Sequence, residues 1–437
     1  MYALVDGNNF YVSCERIFRP SLNACPVIVL SNNDGCAIAR SNEAKALGVA
    51  MGAPWFKVQH LQESAGLVAL SANFTLYGDI SQRMMTIASG LGPSQEVYSI
   101  DESFVGLQGV RGNLIKRAHT MRERILQWIG IPTCIGMGAT KTLAKLANHI
   151  AKTAERKPGL YPKELAQVCH LESLSTNELK AIFQRTDVCE VWGVGRRIET
   201  QLKALGIESV WDLQQASISA LRARFGVVME RTVRELQGQA CIDLEEWPAA
   251  KKEIACTRSF GQAVVSLEPL IQAVSEFASR AAEKLRHQHS QAAQVLVFIR
   301  TSPFRSGPQY SQSVTIPLVR PSADTSTLVQ TAVLGLRLIY QAGYSFAKAG
   351  VMLMDLRDEG LEQGELALGD KVREHTQPAH CAQLMQALDK LNQRYGRGTL
   401  SVASSGITTQ HKIWSMRQER LTPRYTTAWA DMPIARA

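Results

Sequence analysis

Short apolar runs and helical stretches alternate through the first third of the chain. Runs at 2–5, 27–30, 96–100, 103–107 and 133–137 have strand length and composition, while 42–47 and 141–152 carry apolar positions at helical spacing. The mixture predicts an α+β or α/β region to about residue 165. From 166 to 240 the strand signal disappears. Trp192-Gly193-Val194-Gly195 precedes a helix over 196–205 that Gly206 terminates, so a small helical domain is expected. Between 250 and 355, strands at 254–260, 294–301, 312–317 and 347–353 surround two amphipathic helices. Ile271, Val274, Ala278, Ala281 and Leu285 share a face of the first, and Leu328, Ala332, Leu336 and Ile339 of the second. The order β-α-β-β-α-β predicts a four-stranded sheet backed by two helices. After 356 only 381–391 keeps a helical pattern, and the remainder is expected to be a partly disordered, partner-binding extension.

A chain of 437 residues exceeds what one hydrophobic core usually serves, so two to four domains are expected. Its 45% hydrophobic and 20% charged residues exclude wholesale disorder. The apolar start is broken by Asp6 and lacks a basic lead, which excludes a signal peptide or membrane span there and predicts a cytoplasmic protein. Nine cysteines without a Cys-x-x-Cys pair read as reduced packing residues rather than zinc ligands. The net charge of +9 suits an anionic partner. Its basic residues gather at 111–163 and 394–424, although a solvated surface explains such runs equally well.

The candidate chemistry lies in three carboxylates. Asp6 ends an apolar strand, where an unpaired buried acid is costly, so the strand end is expected to face a cleft or a cation. Asp101 and Glu102 lie between two β-prone runs. Neighbours in a regular strand point to opposite faces, so both can serve one site only at a hairpin tip. Three carboxylates from two strands suit a pair of hard cations such as magnesium, which stabilise the attacking and leaving oxygens of an in-line phosphoryl transfer. Lys141, Lys145, His149 and Lys152 form one stripe on the helix that follows, able to hold a triphosphate. From the residues alone, a metal-dependent phosphoryl-transfer site and a solvated charged surface both remain open.

Longer motifs narrow the choice. Asp6-Gly7-Asn8-Asn9-Phe10-Tyr11, Ser31-Asn32-Asn33-Asp34-Gly35-Cys36 and Tyr98-Ser99-Ile100-Asp101-Glu102-Ser103-Phe104 resemble the Y-family DNA polymerases, in their UmuC-like branch. So do Thr140 to His149, Val191 to Arg197, Glu230 to Leu236 and Pro423 to Thr427, so that the resemblance spans nearly the whole chain. It implies an α+β multidomain right hand: a ferredoxin-like palm from 1–10 and 71–165, small fingers from 11–70, and a helical thumb from 166–240. A little finger would follow at 250–355 and a partner-binding extension at 356–437. It implies an error-prone translesion polymerase of the SOS response, adding dNTPs to a primer 3′ end with two Mg2+ ions. Asp6, Asp101 and Glu102 would hold the metals with the Gly7 carbonyl. Tyr11 would be the steric gate that excludes ribonucleotides, its alternative being a packing tyrosine. Phe10, Tyr11, Arg40, Lys45 and Lys152 would bind the nucleotide. Asn42 and Lys45 stand where many members carry a tyrosine and an arginine, so Lys45 offers a point charge instead of a bidentate fork, with Arg40 nearby. Gly193, Gly195, Arg196 and Arg197 would form a helix-hairpin-helix that offers backbone amides to a DNA phosphate.

The competing readings are a nucleotidyl cyclase, whose palms also pair carboxylates, and a non-catalytic DNA-damage scaffold. The hairpin glycines and the little-finger-like region weigh against the first, and the intact Asp6, Asp101, Glu102 and Tyr11 against the second. The resemblance further implies a processed UmuD-type dimer, RecA and the sliding clamp as partners, with the enzyme at the nucleoid when on DNA. The clamp-binding peptide would fall on Glu365-Leu366-Ala367-Leu368-Gly369-Asp370, where Glu365 and Gly369 replace an amide and an aromatic, so weak clamp binding is expected.

Overall fold

The computed structural model describes residues 1–360, 378–406 and 412–434. The chain divides into two compact units: Met1–Ser31, Gly35–Pro248 and the segment from Arg420 onward form one, and Asn32–Asp34 with the stretch between Ala249 and Glu419 forms the other.

The first unit is built on a five-stranded sheet. In chain order its strands are β1 (Tyr2–Gly7), β5 (Ser94–Val97), β6 (Glu102–Gly106), β7 (Thr133–Gly138) and β8 (Val168–His170); β2 (Val27–Leu30), β3 (Ala37–Arg40) and β4 (Val68–Ser71) make a separate three-stranded sheet. The spatial order is β5-β6-β1-β7-β8, which puts β1 in the middle, antiparallel to both neighbours. Every residue of β1 is buried, consistent with its near-continuous apolar run. Ala3, Val5, Val105, Ile135 and Met137 share a core with the helices Phe74–Ala88 and Leu114–Ile129; Tyr2, Leu4 and Phe104 pack with Ala144 of the helix Lys141–Arg156. That helix lies directly on β7: a Cβ at Gly136 would come within 2.1 Å of the Asn148 amide nitrogen, and one at Gly138 within 2.7 Å of that of Ala144.

The region expected to lack strands begins with one. β8 pairs parallel with β7 and extends the sheet past residue 165; its three residues are too few to show a period, and its partner supplies the pattern that its sequence lacks. Five helices follow between Thr176 and Leu236, two of them opened by capping boxes, Ser175 with Glu178 and Ser209 with Asp212.

In the second unit β9 (Ile254–Val264), β10 (Ser290–Thr301), β11 (Ser311–Ser322) and β12 (Phe346–Asp358) form an antiparallel sheet in the order β11-β10-β12-β9. Helices Leu267–His287 and Thr325–Ile339 cover one face in the expected β-α-β-β-α-β sequence. The strands run longer than their apolar cores suggested, because the ladders continue through polar residues on the open face.

The described part of the C-terminal region is more ordered than expected. A helix spans Pro378–Tyr395, Arg286 binds both carboxylate oxygens of Asp389 at 2.7 Å, and buried Trp414 meets Phe277 edge-on. The expected clamp peptide, 365–370, lies outside the described residues. All nine cysteines are free, and among the described residues no helix is long and apolar enough to cross a membrane.

Candidate active site

Asp6 is the penultimate residue of β1, and the antiparallel register sets it opposite Glu102, the first residue of β6. The first strand of the hairpin ends at Val97 rather than at 100, leaving Tyr98 to Asp101 to turn. Ser99 organises the turn. Its hydroxyl donates to Asp101 Oδ1 at 2.7 Å and accepts from the Glu102 amide at 3.1 Å, while the Tyr98 and Ser99 amides both donate to the Glu102 carbonyl. The Gly7 amide donates to the Asp101 carbonyl at 2.9 Å, tying the hairpin tip to the end of β1. Adjacent acids therefore reach one strand end, because only Glu102 obeys the strand alternation.

Asp6 is 3% exposed, yet Lys152 reaches its carboxylate at 2.5 Å. The Asp6 carboxyl is raised to about 7, chiefly by burial and also by neighbouring Glu102, with the lysine opposing the rise. For Glu102, burial also works upward but is outweighed by Lys145 at 2.5 Å and by a hydrogen bond with Asp6, so its pKa lies below the usual range. Of the pair, Asp6 is thus the one whose charged form burial disfavours more. An all-oxygen set of three acids, one of them a buried carboxylate that needs positive charge beside it, suits a hard divalent cation.

The lysine stripe does not act as one surface. Lys141 is buried against Glu96 at 2.6 Å, Lys145 serves Glu102, and His149 pairs with Glu190 at 3.1 Å, which corrects the expectation that all four hold a triphosphate. Spacing put them on one face; the acids opposite them could not be read from it. A different cation group takes shape around Lys45. Burial first, and then repulsion from Arg156, Arg40 and Lys152, together lower its pKa to about 8. Arg156, one turn beyond Lys152 on the same helix, was missed by the sequence reading although its i+4 spacing marks it. Lys45 Nζ donates to Asn9 Oδ1 at 2.6 Å and Asn9 Nδ2 to Asn42 Oδ1, while Arg40 Nη1 donates to the Val49 carbonyl. Lys152 is already held by Asp6, but among the described residues Lys45, Arg40 and Arg156 have no ion-pair partner, and such a group suits an anion.

Tyr11 stacks on Tyr77 with ring centroids 4.5 Å apart and planes 17° from parallel, and meets Phe74 edge-on. Burial raises its phenol pKa, and the Asp101 carboxylate adds to the rise. Phe10 is buried in the sheet core, its ring where a Cβ on Gly7 would have to fit. Gly193 has φ +90°, Gly195 caps the helix Arg196–Lys203, and Arg196 and Arg197 are exposed. Trp192, passed over beside those glycines, contacts Tyr98 and Phe104, and with Tyr98 boxes the Lys145 ammonium.

Residues 5–149 match the impB/mucB/samB family and 251–366 its C-terminal domain; 382–435 match a domain of unknown function (DUF4113). The chain is 43% identical to Protein UmuC of Salmonella typhimurium over 99% of each chain, and 42% identical to Protein ImpB of the same organism over 100% of each. DNA polymerase IV of Corynebacterium diphtheriae is 29% identical, covering 74% of this chain and 68% of its own. Among solved structures, a Y-family DNA polymerase chimera of Dbh and Dpo4 superposes with a TM-score of 0.64 at 18% identity, over 82% of this chain and 99% of the other. An insertion ternary complex of Dbh DNA polymerase gives 0.53 at 19% identity, over 82% and 99%. That likeness is one of fold, and it agrees with the full-length sequence relationship: the chain belongs to the impB/mucB/samB family of UmuC-like Y-family DNA polymerases, which work with divalent metal, DNA and nucleotides.

Proposed function

We propose that this chain, a translesion DNA polymerase by family, extends a primer 3′ end through a site in which Asp6, Asp101 and Glu102, with the Gly7 carbonyl, hold two Mg2+ ions. The observation that carries the reading is the meeting of Asp6 and Glu102 across the β1–β6 register with Asp101 tied to Gly7 beside them. Bound there, two divalent cations supply Lewis acidity and neutralise charge in an in-line phosphoryl transfer.

The chain's own residues do the rest. Lys152, Lys45, Arg40 and Arg156 supply positive charge for the triphosphate, and the burial and mutual repulsion that depress Lys45 favour an anion among them. The Tyr11 ring lies beside the acids and excludes a 2′-hydroxyl, while Phe10, its ring buried in the core, lines the nucleotide site with its backbone. Gly193, Gly195, Arg196 and Arg197 hold the DNA backbone, contacts that carry no sequence information.

The palm corresponds to 1–10 and 71–165 with β8 added to its sheet, the fingers to 11–70, the thumb to the helices that follow β8 up to 240, the little finger to 250–355 and the partner-binding region to 356–437. A processed UmuD-type dimer, RecA and a weakly bound sliding clamp complete the working enzyme at the nucleoid. The test is incubation of pure protein with primed template, each dNTP and magnesium, with and without those partners. Template-directed extension that chelator stops supports the reading, whereas a cyclic product or DNA binding alone supports the cyclase or the scaffold.

A further inference from the structure

Residues 420–425 lie on the first unit, where they bind residues 349 to 407 positions earlier in the chain. Ser71 and Arg420 exchange two hydrogen bonds of 3.0 Å, one from each backbone amide. Asn73, which caps the helix Phe74–Ala88 through its Oδ1, donates its Nδ2 hydrogens to the Thr422 carbonyl and hydroxyl and to the Pro423 carbonyl, at 3.0–3.1 Å. Tyr425 stacks on Phe18 at 4.6 Å with planes 9° apart. The segment is thus fixed at three points across the ends of two helices.

Its middle point touches a buried acid. Glu15, on the helix that begins with Phe10 and Tyr11, is fully buried, and its Oε1 accepts from the Thr422 hydroxyl at 3.1 Å and from the Tyr77 hydroxyl at 2.7 Å; its Oε2 has no partner. The face of Tyr77 is the platform on which Tyr11 stacks. Burial raises the Glu15 carboxyl, and the two hydroxyls pull it back, so removing one leaves a less well satisfied acid beneath the ring pair.

We propose that the 420–425 segment is a positioning element for sugar discrimination: Thr422, acting through Glu15 and Tyr77, fixes the platform that sets the height of the Tyr11 ring. The proposal rests on the reading of Tyr11 as the steric gate. It makes residues matched by the domain of unknown function part of the nucleotide site.

The experiment uses full-length variants under conditions in which the parent extends a primer, and compares kcat/KM for dCTP with that for CTP. Thr422→Val should lower discrimination about fivefold, the worth of one hydrogen bond, mainly by admitting CTP. Thr422→Ser should restore it. Tyr77→Phe removes one oxygen without touching the tail and should lower discrimination similarly; combined with Thr422→Val it should add little, because both act through Glu15. A merely structural role would reduce both nucleotides alike and leave the ratio unmoved. If Tyr11→Ala admits CTP while Thr422→Val and Tyr77→Phe keep the parental ratio, the bracing proposal is overturned and the gate stands. If Tyr11→Ala also keeps that ratio, the gate assignment falls and takes the proposal with it.

Discussion

In the five-stranded sheet the central strand ends in a buried acid, whereas the central strands of the four-stranded sheet bury only apolar side chains along their middles: Val295, Val297 and Ile299 on β10, Ala349, Val351 and Leu353 on β12. Around the first sheet Asp6, Glu96 and Lys141 are all less than a tenth exposed, and each has an ionic partner. Buried charge costs stability unless it is paired and bonded, so its concentration around this sheet is what a functional region would require and a purely structural one would avoid. The second sheet has no such burden. Its core can contribute stability without compromise.

The sharpest test of that contrast removes the acids. Asp101→Ala or Glu102→Ala should lower primer extension on the order of a thousandfold or more, with DNA binding and melting temperature close to parental, because these groups act on the transition state. Retained extension in either variant would sink the metal-site assignment. The opposite manipulation is Phe277→Ala in the second unit, where a large, fully buried ring leaves a cavity. Calorimetry should show roughly 3–5 kcal/mol of lost stability. A loss as small as that of a surface residue would contradict the picture of a tightly packed apolar core.

A subtler probe concerns the buried pair. Lys141→Met leaves Glu96 without its ammonium and should cost about 3 kcal/mol in denaturant titrations. Adding Glu96→Gln should recover part of it, since the amide oxygen still accepts from the Glu245 backbone. The smallest effect is a pH dependence at Lys45. With its pKa lowered to about 8, the ammonium loses its proton as pH rises through that value, so the KM for dNTP should climb roughly threefold between pH 7 and 9. Lys45→Arg, charged throughout, should flatten the profile. A parental profile in the arginine variant would remove Lys45 from the nucleotide site.

Much of this was legible because local pattern and tertiary role coincide. The apolar run before Asp6 and the β-prone runs flanking Asp101-Glu102 predicted a strand end and a hairpin, and the periodicity from 250 to 355 gave its sheet in the right order. What escaped depends on partners distant in sequence. β8 is a strand only because β7 lies beside it; Lys141 and His149 leave the stripe for Glu96 and Glu190; Trp192 closes around Lys145 from another domain-sized stretch of chain. The tail at 420–425 has no amphipathic period at all, since its order comes from single hydrogen bonds to Asn73, Glu15 and Ser71.

That last arrangement sets a schedule for biosynthesis. Glu15 and Thr422 are 407 positions apart, and at about 5–20 residues per second a ribosome needs roughly 20–80 s to travel from one codon to the other. Throughout that interval the acid on the first helix lacks the Thr422 hydroxyl, and Asn73 lacks the carbonyls it will later bind. The nascent protein thus carries an unfinished seam along the helix that begins with Phe10 until translation has passed Thr422.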